Sequence, residues 1–425
     1  MVRDIKNMYR EIQKDPFPET MSLRMGDQEL SFRKKTWEVQ GEEKGLRYGE
    51  NPDQPAALFE LTEGRVELGG IVFQGPGLDL VSAMREEHMI QAGKHPGKIN
   101  LTDVDNGINI LQYLHAKPAA VILKHNNPSG AAWSDEGMAD ALDKAYFADR
   151  IAAFGGALVI NRPMDIKCAE FVNKFYLEVV AAPEFEPGVV DVLKKKKNLR
   201  IIKLSGLARL SELTAKPFLD IKSLNDGGMI VQFSFKNRIL EGKDFLPAQA
   251  DKDGDSVNAR YPDKRELEDL LFAWAVEAGV TSNSVLFAQN GRTVAIGTGE
   301  QDRVGCVQLA VSKAYTKYAD NLAFERKGLS LYQLQEKAET DAQAADDLQK
   351  IMEKTREMKA GIPGSVMVSD GFFPFRDGVD MALKEGVTAI AQPGGSIRDF
   401  EVIQAVNESS PQAAMVFTGQ RSFKH

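Results

Sequence analysis

What this chain has little of narrows it first. Of 425 residues only two are cysteine, Cys168 and Cys306, with no CxxC spacing and no evident ligand set beside them. A disulfide scaffold and a zinc site are both disfavoured, and buried structural thiols are the simpler reading. No window approaches the ~18 consecutive apolar residues of a membrane-crossing helix. Met1 to Arg10 is polar and charged, unlike a secretory leader. Positive charge is not in surplus: the formal net charge is −8 and the pI about 5.4. The basic field of a nucleic-acid binder is therefore missing. The one basic run, Lys194 to Lys197, reads as a solvated helix end. A cytoplasmic protein with neither nucleic acid nor membrane as partner is expected.

What is present is ordinary globular material, 43% hydrophobic and 27% charged, enough to fill a core without staples. Residues 1–45 are polar and mixed in charge, and read as an extension with no core of its own. From Leu46, short apolar runs alternate with helical patterns. Ala119 to Leu123, Ala157 to Ile160, Val179 to Ala182 and Arg200 to Leu204 read as buried strands, and Met138 to Tyr146 as a helix. That alternation predicts an α/β sheet with covered faces. Texture changes over 226–262, including the polar stretch Gln249 to Asp263, and this is the expected boundary between domains 46–225 and 263–425. In the second half a helix is expected over Lys264 to Gly279. Asn290-Gly291 between two apolar runs predicts a hairpin. A charge-laced helical region runs from about Val304 to Gly361, and three more strands are expected at 365–368, 387–391 and 413–417.

Several polar, Gly- or Pro-rich turns follow these strands, where open α/β sheets usually bind ligands. Lys124-His125-Asn126-Asn127-Pro128 exits the first of them. A neighbouring lysine and histidine suit proton transfer; alone, they read more simply as a surface lysine and a hydrogen-bonding histidine. Arg47-Tyr48 offers a planar donor fork and a hydroxyl for phosphate, or else an arginine paired with Glu50. Asn283, in Ser282-Asn283-Ser284, is an amide donor for a developing oxyanion, or a helix-terminal turn residue. Gly297 to Arg303 leads from strand to helix like an anion cradle, yet is neither GxGxxG nor a P-loop. Phe372-Phe373-Pro374-Phe375-Arg376-Asp377 suits a flat heterocycle flanked by a carboxylate, or a core-filling aromatic cluster.

In order, the stretches LRYGENPDQ, LKHNNPSGAA, AFGG, SNSVLFAQNG, VMVSDGFFPFRDGVDMA, AQPGGSIRD and MVFTGQRSFKH resemble one family from Leu46 to His425. It is the transformylase half of the bifunctional purine-biosynthesis protein (aminoimidazole-carboxamide ribotide, AICAR, transformylase and inosinate cyclohydrolase). The resemblance implies two similar cytidine-deaminase-like subdomains, with mixed sheets flanked by helices and no zinc; the H-x-E and P-C-x-x-C of a zinc deaminase are missing from the sequence. It implies formyl transfer from 10-formyltetrahydrofolate to the 5-amino group of AICAR. By position, Lys124 and His125 match the catalytic pair and Asn283 the residue steadying the formyl oxygen. Arg47, Tyr48 and Arg421 match phosphate contacts. Asn100, Phe154, Gly155, Glu178, Arg303 and Phe372 match positions lining the ribotide and folate sites. Pro374, Phe375 and Asp377 match the pterin slot. Ser282, Ser284 and Asp370 match ligands of a monovalent cation such as potassium. A homodimer with shared active sites is also implied. Only 45 residues precede LRYGE, where the family's cyclohydrolase domain takes roughly 150 to 200, one domain's worth; that activity is expected to be missing, with ring closure left to a separate IMP cyclohydrolase. Asp53, where the family commonly has His, Glu300 in place of a frequent Gln, and a loose match over Gly97 to Asn106 are departures. A related formyltransferase with another donor or acceptor, or a nucleotide-binding regulator that keeps the fold, are the alternatives.

Overall fold

The computed structural model describes residues 12, 15–39, 41–214, 216–250 and 256–425. Residues 1–11 of the expected extension, and 251–255 of the polar stretch before Asp263, lie outside the described residues. The chain is a mixed α/β protein, with parallel and antiparallel strands flanked by helices. It divides into two compact units, neither of which is one continuous stretch. The first comprises Met1–Pro118, Leu123–Asn126 and Gly155–Lys236; the second comprises Ala119–Ile122, Asn127–Phe154 and Asn237–His425.

In the first unit, strands Ala157–Ile160, Val179–Ala182 and Arg200–Lys203 run parallel in that order, and Met89–Gln91 pairs antiparallel with the last. Their side chains are almost all buried, as parallel strands covered on both faces must be. Helix Lys98–Leu111 packs so close that a Cβ on Gly107 would lie 2.6 Å from Val159 Cγ2. A separate antiparallel sheet is formed by Thr20–Met25, Gln28–Lys35, Leu58–Leu68 and Ile71–Gln74. Part of the stretch expected to be an extension is thus regular sheet. Leu23, Met25, Leu30 and Phe32 alternate with polar neighbours, and their apolar partners Leu61, Val66 and Phe73 come from beyond residue 45. No core was visible within 1–45 because half of it is supplied later in the chain.

In the second unit the strand order is Leu246–Pro247, Ala414–Phe417, Ala389–Gln392, Val366–Ser369, Val285–Gln289, Arg292–Gly297, Asn127–Trp133. The strands beginning at 366, 389 and 414 are parallel; Val285–Gln289 runs antiparallel to Val366–Ser369 and to Arg292–Gly297. Asn290 and Gly291 both have positive φ, 53° and 68°, the conformation a two-residue hairpin loop demands. Gly291 is irreplaceable on space as well: a Cβ there would sit 2.2 Å from the Trp133 ring. Helix Lys264–Glu277 starts with an Asp263/Glu266 capping box. The charge-laced region resolves into helices Arg303–Lys327, Leu331–Ala338 and Ala342–Glu357. Gly328 in the left-handed conformation ends the first, and Ser330 and Asp341 cap the next two.

Candidate active site

Strand Ala119–Lys124 ends in a reversal at His125 and Asn126, with φ of 54° and 61°. Left-handed conformations are uncommon for residues other than glycine and recur at functional sites. Helix Lys98–Leu111 secures this turn: Asp103 Oδ1 accepts from the Asn126 amide at 2.6 Å, and Asn106 Nδ2 donates to the Asn126 carbonyl at 2.9 Å. The backbone is pinned from beneath while His125 stays exposed and Lys124 half-buried.

The first unit also gathers a cationic cluster. Arg47 and Tyr48 are buried; Arg47 Nη2 donates to the Tyr48 hydroxyl at 2.8 Å, with the guanidinium 4.5 Å above the ring. The Arg47 amide donates to the Pro96 carbonyl, and the Lys98 amide to the Tyr48 carbonyl. Asn100 Oδ1 accepts from the Gly97 amide at 3.2 Å, so it closes the same corner. Gly155, at φ 76°, donates its amide to the Tyr176 carbonyl, and the Tyr176 hydroxyl lies 3.4 Å from Glu178 Oε1. Arg200, which the sequence reading did not single out, reaches Glu178 from the neighbouring strand. Burial, reinforced by the Arg47 charge, pulls Arg200 down to about 10. His95 is lowered chiefly by burial, with Arg200, Arg47 and Lys44 adding to it. Gly155, Glu178 and Arg200 stand at the entries of their strands, not beyond the carboxyl ends where ligands were expected.

The second unit builds a buried polar knot. Asn283 follows Ser282 across a cis peptide bond. Its Oδ1 accepts from Arg303 Nη2 at 2.7 Å and its Nδ2 donates to the Glu300 carbonyl at 2.9 Å. These two bonds fix which way the amide points, and an amide nitrogen carries two hydrogens, of which this bond uses one. Arg303 also donates to the Ser284 carbonyl at 2.9 Å and pairs with Asp370. Ser282 donates to Asp370, and Ser284 to Glu277. Glu277, wholly buried and missed by the sequence reading, is raised well above the usual carboxylate range by burial and then by Asp370; its Oε2 has no hydrogen-bond partner. Only its place in the otherwise apolar run Leu270 to Val280 hinted at it.

Phe373 is fully buried in the core, while Phe372 is half-buried and Phe375 exposed. The three-phenylalanine motif therefore divides: one ring fills the core and two remain accessible. Arg421 lies 5.4 Å from the Phe372 ring, and Arg398 5.0 Å from Phe375. Asp377 begins a helix and is exposed, its Oδ1 accepting from the Gly378 amide; Pro374 is half-buried beside it and Phe154 is exposed. The expected anion cradle before Arg303 is not one. Asp302 caps the helix, accepting from the Gly305 amide at 2.6 Å, and so places a negative charge where an anion would bind. An open groove of about 480 Å³ in the second unit is bordered by Leu246, Gly394, Gly395, Ile397 and Phe417, and none of the expected site residues lines it. Among the described residues, no cluster of three or more His, Cys, Asp or Glu is arranged to hold a metal ion, and no helix is long and apolar enough to cross a membrane.

Fold and polar clusters together define a mixed α/β protein whose polar clusters are held on strand ends and reversals. The family described as AICARFT/IMPCHase bienzyme matches residues 10–313, and the chain belongs to that family. Among its relatives, the bifunctional purine biosynthesis protein PurH of Persephonella marina is 35% identical over 412 residues, 97% of this chain and 62% of that protein. That of Caldicellulosiruptor saccharolyticus is 34% identical over 380 residues, 89% of this chain and 59% of the relative. That of Acetivibrio thermocellus is 32% identical over 420 residues, 99% and 64%. The chain thus spans about three fifths of the length of these relatives.

Proposed function

We propose that the chain is a formyltransferase of purine (IMP) biosynthesis, moving the formyl group of 10-formyltetrahydrofolate to the 5-amino group of AICAR. One observation carries this: the Asn283 amide is locked between Arg303 and the Glu300 carbonyl with an N–H to spare, a preorganised donor of the kind that stabilises acyl-transfer oxyanions. The AICAR amine is conjugated with its ring and is a weak nucleophile. His125, with Lys124 beside it, accepts the amine proton as the nitrogen attacks the formyl carbon. Asn283 and the Lys124 cation stabilise the tetrahedral oxyanion. Collapse breaks the bond to folate N10, which leaves protonated. Arg47, Tyr48 and Arg421 bind the ribotide phosphate, and Asn100, Phe154, Gly155, Glu178, Arg303 and Phe372 line the substrates. Pro374, Phe375 and Asp377 receive the pterin.

Ser282, Ser284 and Asp370 would hold a monovalent cation. One observation supports this: Glu277 Oε2 is buried without a hydrogen-bond partner, on a side chain bonded to Ser284, and a potassium ion would take oxygen atoms of this kind. The exposed apolar side chains Met229, Ile230 and Phe233 on the hairpin 219–233, with Phe218 just before it, support a homodimer, which sedimentation tests. The family's likeness to cytidine deaminases extends the proposal to two similar subdomains.

The reaction is tested by following formyl transfer from 10-formyltetrahydrofolate to AICAR by absorbance, with formate plus ATP as the rival donor and IMP formation assayed alongside. Lys124→Ala and His125→Ala are each expected to lower turnover at least ~100-fold. Turnover near wild type in both variants removes the acid–base assignment.

A further inference from the structure

Arg200 is a cation 1% exposed in the first unit, and no role has been given to it so far. Its bonds are informative. Nη1 lies 3.5 Å from Glu178 Oε2 and 3.4 Å from the Glu178 carbonyl oxygen. Nη2 donates to the Lys94 carbonyl at 3.0 Å and reaches that of His95 at 3.5 Å. Nε is buried without a partner. A guanidinium placed only for stability is expected to be fully bonded, because an orphaned buried donor is costly. This one is stretched between two features instead. On one side is Glu178. On the other is the loop Lys94 to Gly97, whose Pro96 carbonyl receives the Arg47 amide and whose His95 ring meets the Gly45 carbonyl at 2.7 Å. Removing Arg200 would free both at once.

Charge points the same way. The charged groups acting most strongly on Arg200 are Arg47, which opposes its protonation, and Glu178, which favours it. Arg47 and Arg200 are both buried and their charges act on one another, and a corner holding two guanidiniums suits a phosphate.

We propose that Arg200 is a positioning residue for the ribotide, holding Glu178 and the Arg47–Tyr48 corner in the arrangement that receives ribose and phosphate. This rests on the formyl-transfer reading, which supplies the ribotide.

The test uses the full chain and measures AICAR binding by calorimetry, together with KM and kcat for both substrates. In Arg200→Met the AICAR dissociation constant and KM rise at least ~10-fold, a loss of about 1.4 kcal/mol, while the folate KM moves less than ~2-fold. Arg200→Lys recovers part of the loss by keeping the charge. Arg200→Met combined with Glu178→Gln loses less than the product of the single effects, since the two act as one unit. A folded Arg200→Met protein with unchanged AICAR affinity, or one that weakens both substrates equally, overturns the proposal. Should Arg200→Met not fold, Glu178→Gln decides: unchanged AICAR affinity overturns it. A wild-type protein that binds AICAR without turnover sinks the formyl-transfer reading and leaves this one to the variants. A wild-type protein that does not bind AICAR removes both.

Discussion

At the scale of single residues, the proposed chemistry depends on groups whose freedom is taken away by hydrogen bonds. Asn283 is held at both ends of its amide, and the His125–Asn126 reversal is held by Asp103 and Asn106. His95 is a clear titrating example. It is 5% exposed, and burial plus nearby cations lower it from 6.5. The neutral ring is therefore the one the fold prefers, and the unfolded chain takes up a proton first as pH falls. Stability owed to this histidine is present above 6.5 and is lost as pH drops from there toward the folded value. His95→Gln keeps a donor for the Gly45 carbonyl but cannot titrate. Urea midpoints of wild type and variant are expected to diverge from about pH 7.5 to about pH 5, the wild type weakening more; a constant difference would remove the assignment.

At the scale of elements, most strands were legible, because short runs such as Ala157–Ile160 and Val179–Ala182 are apolar throughout and bounded by breakers. The start of the helix at Lys264 was legible, and the structure supplies its reason in the Asp263/Glu266 capping box. The sheet over 20–74 was not, since its apolar face is shared between segments on either side of residue 45. Of the candidate site, the motif residues were named in advance, but Arg200 and Glu277 were not: each is one charged residue in a buried run, and only packing reveals what it faces. Packing also decides the sign of a helix substitution. In an exposed helix, Gly→Ala gains up to ~1 kcal/mol. At Gly107 the added carbon would lie 2.6 Å from Val159 Cγ2 and 3.1 Å from Leu123 Cδ2, neither on a flexible chain. Gly107→Ala is expected to cost ~1–3 kcal/mol instead, read as a lower urea midpoint with unchanged slope; a more stable variant would show that the helix can move away.

On the scale of the whole molecule, the two compact units are interleaved in sequence: the chain passes from the first to the second at Ala119, returns at Leu123, leaves again at Asn127, returns at Gly155 and leaves finally at Asn237. A fragment spanning 237–425 would carry the parallel strands from Val366, Ala389 and Ala414 but lack Asn127–Trp133, the neighbour of Arg292–Gly297, and Trp133, which packs on Phe272. Such a fragment is expected to melt without a sharp transition and to give weak near-ultraviolet dichroism; a cooperative melt like that of the full chain would contradict this.

For anyone wishing to dissect this protein, the interleaving has a practical edge. No single cut of the chain separates one whole unit from the other, so separate expression of either half is the wrong tool. Sites for splitting or inserting reporters belong in surface turns that leave all five crossings intact, and loss of function after a deletion cannot by itself be mapped to the deleted residues.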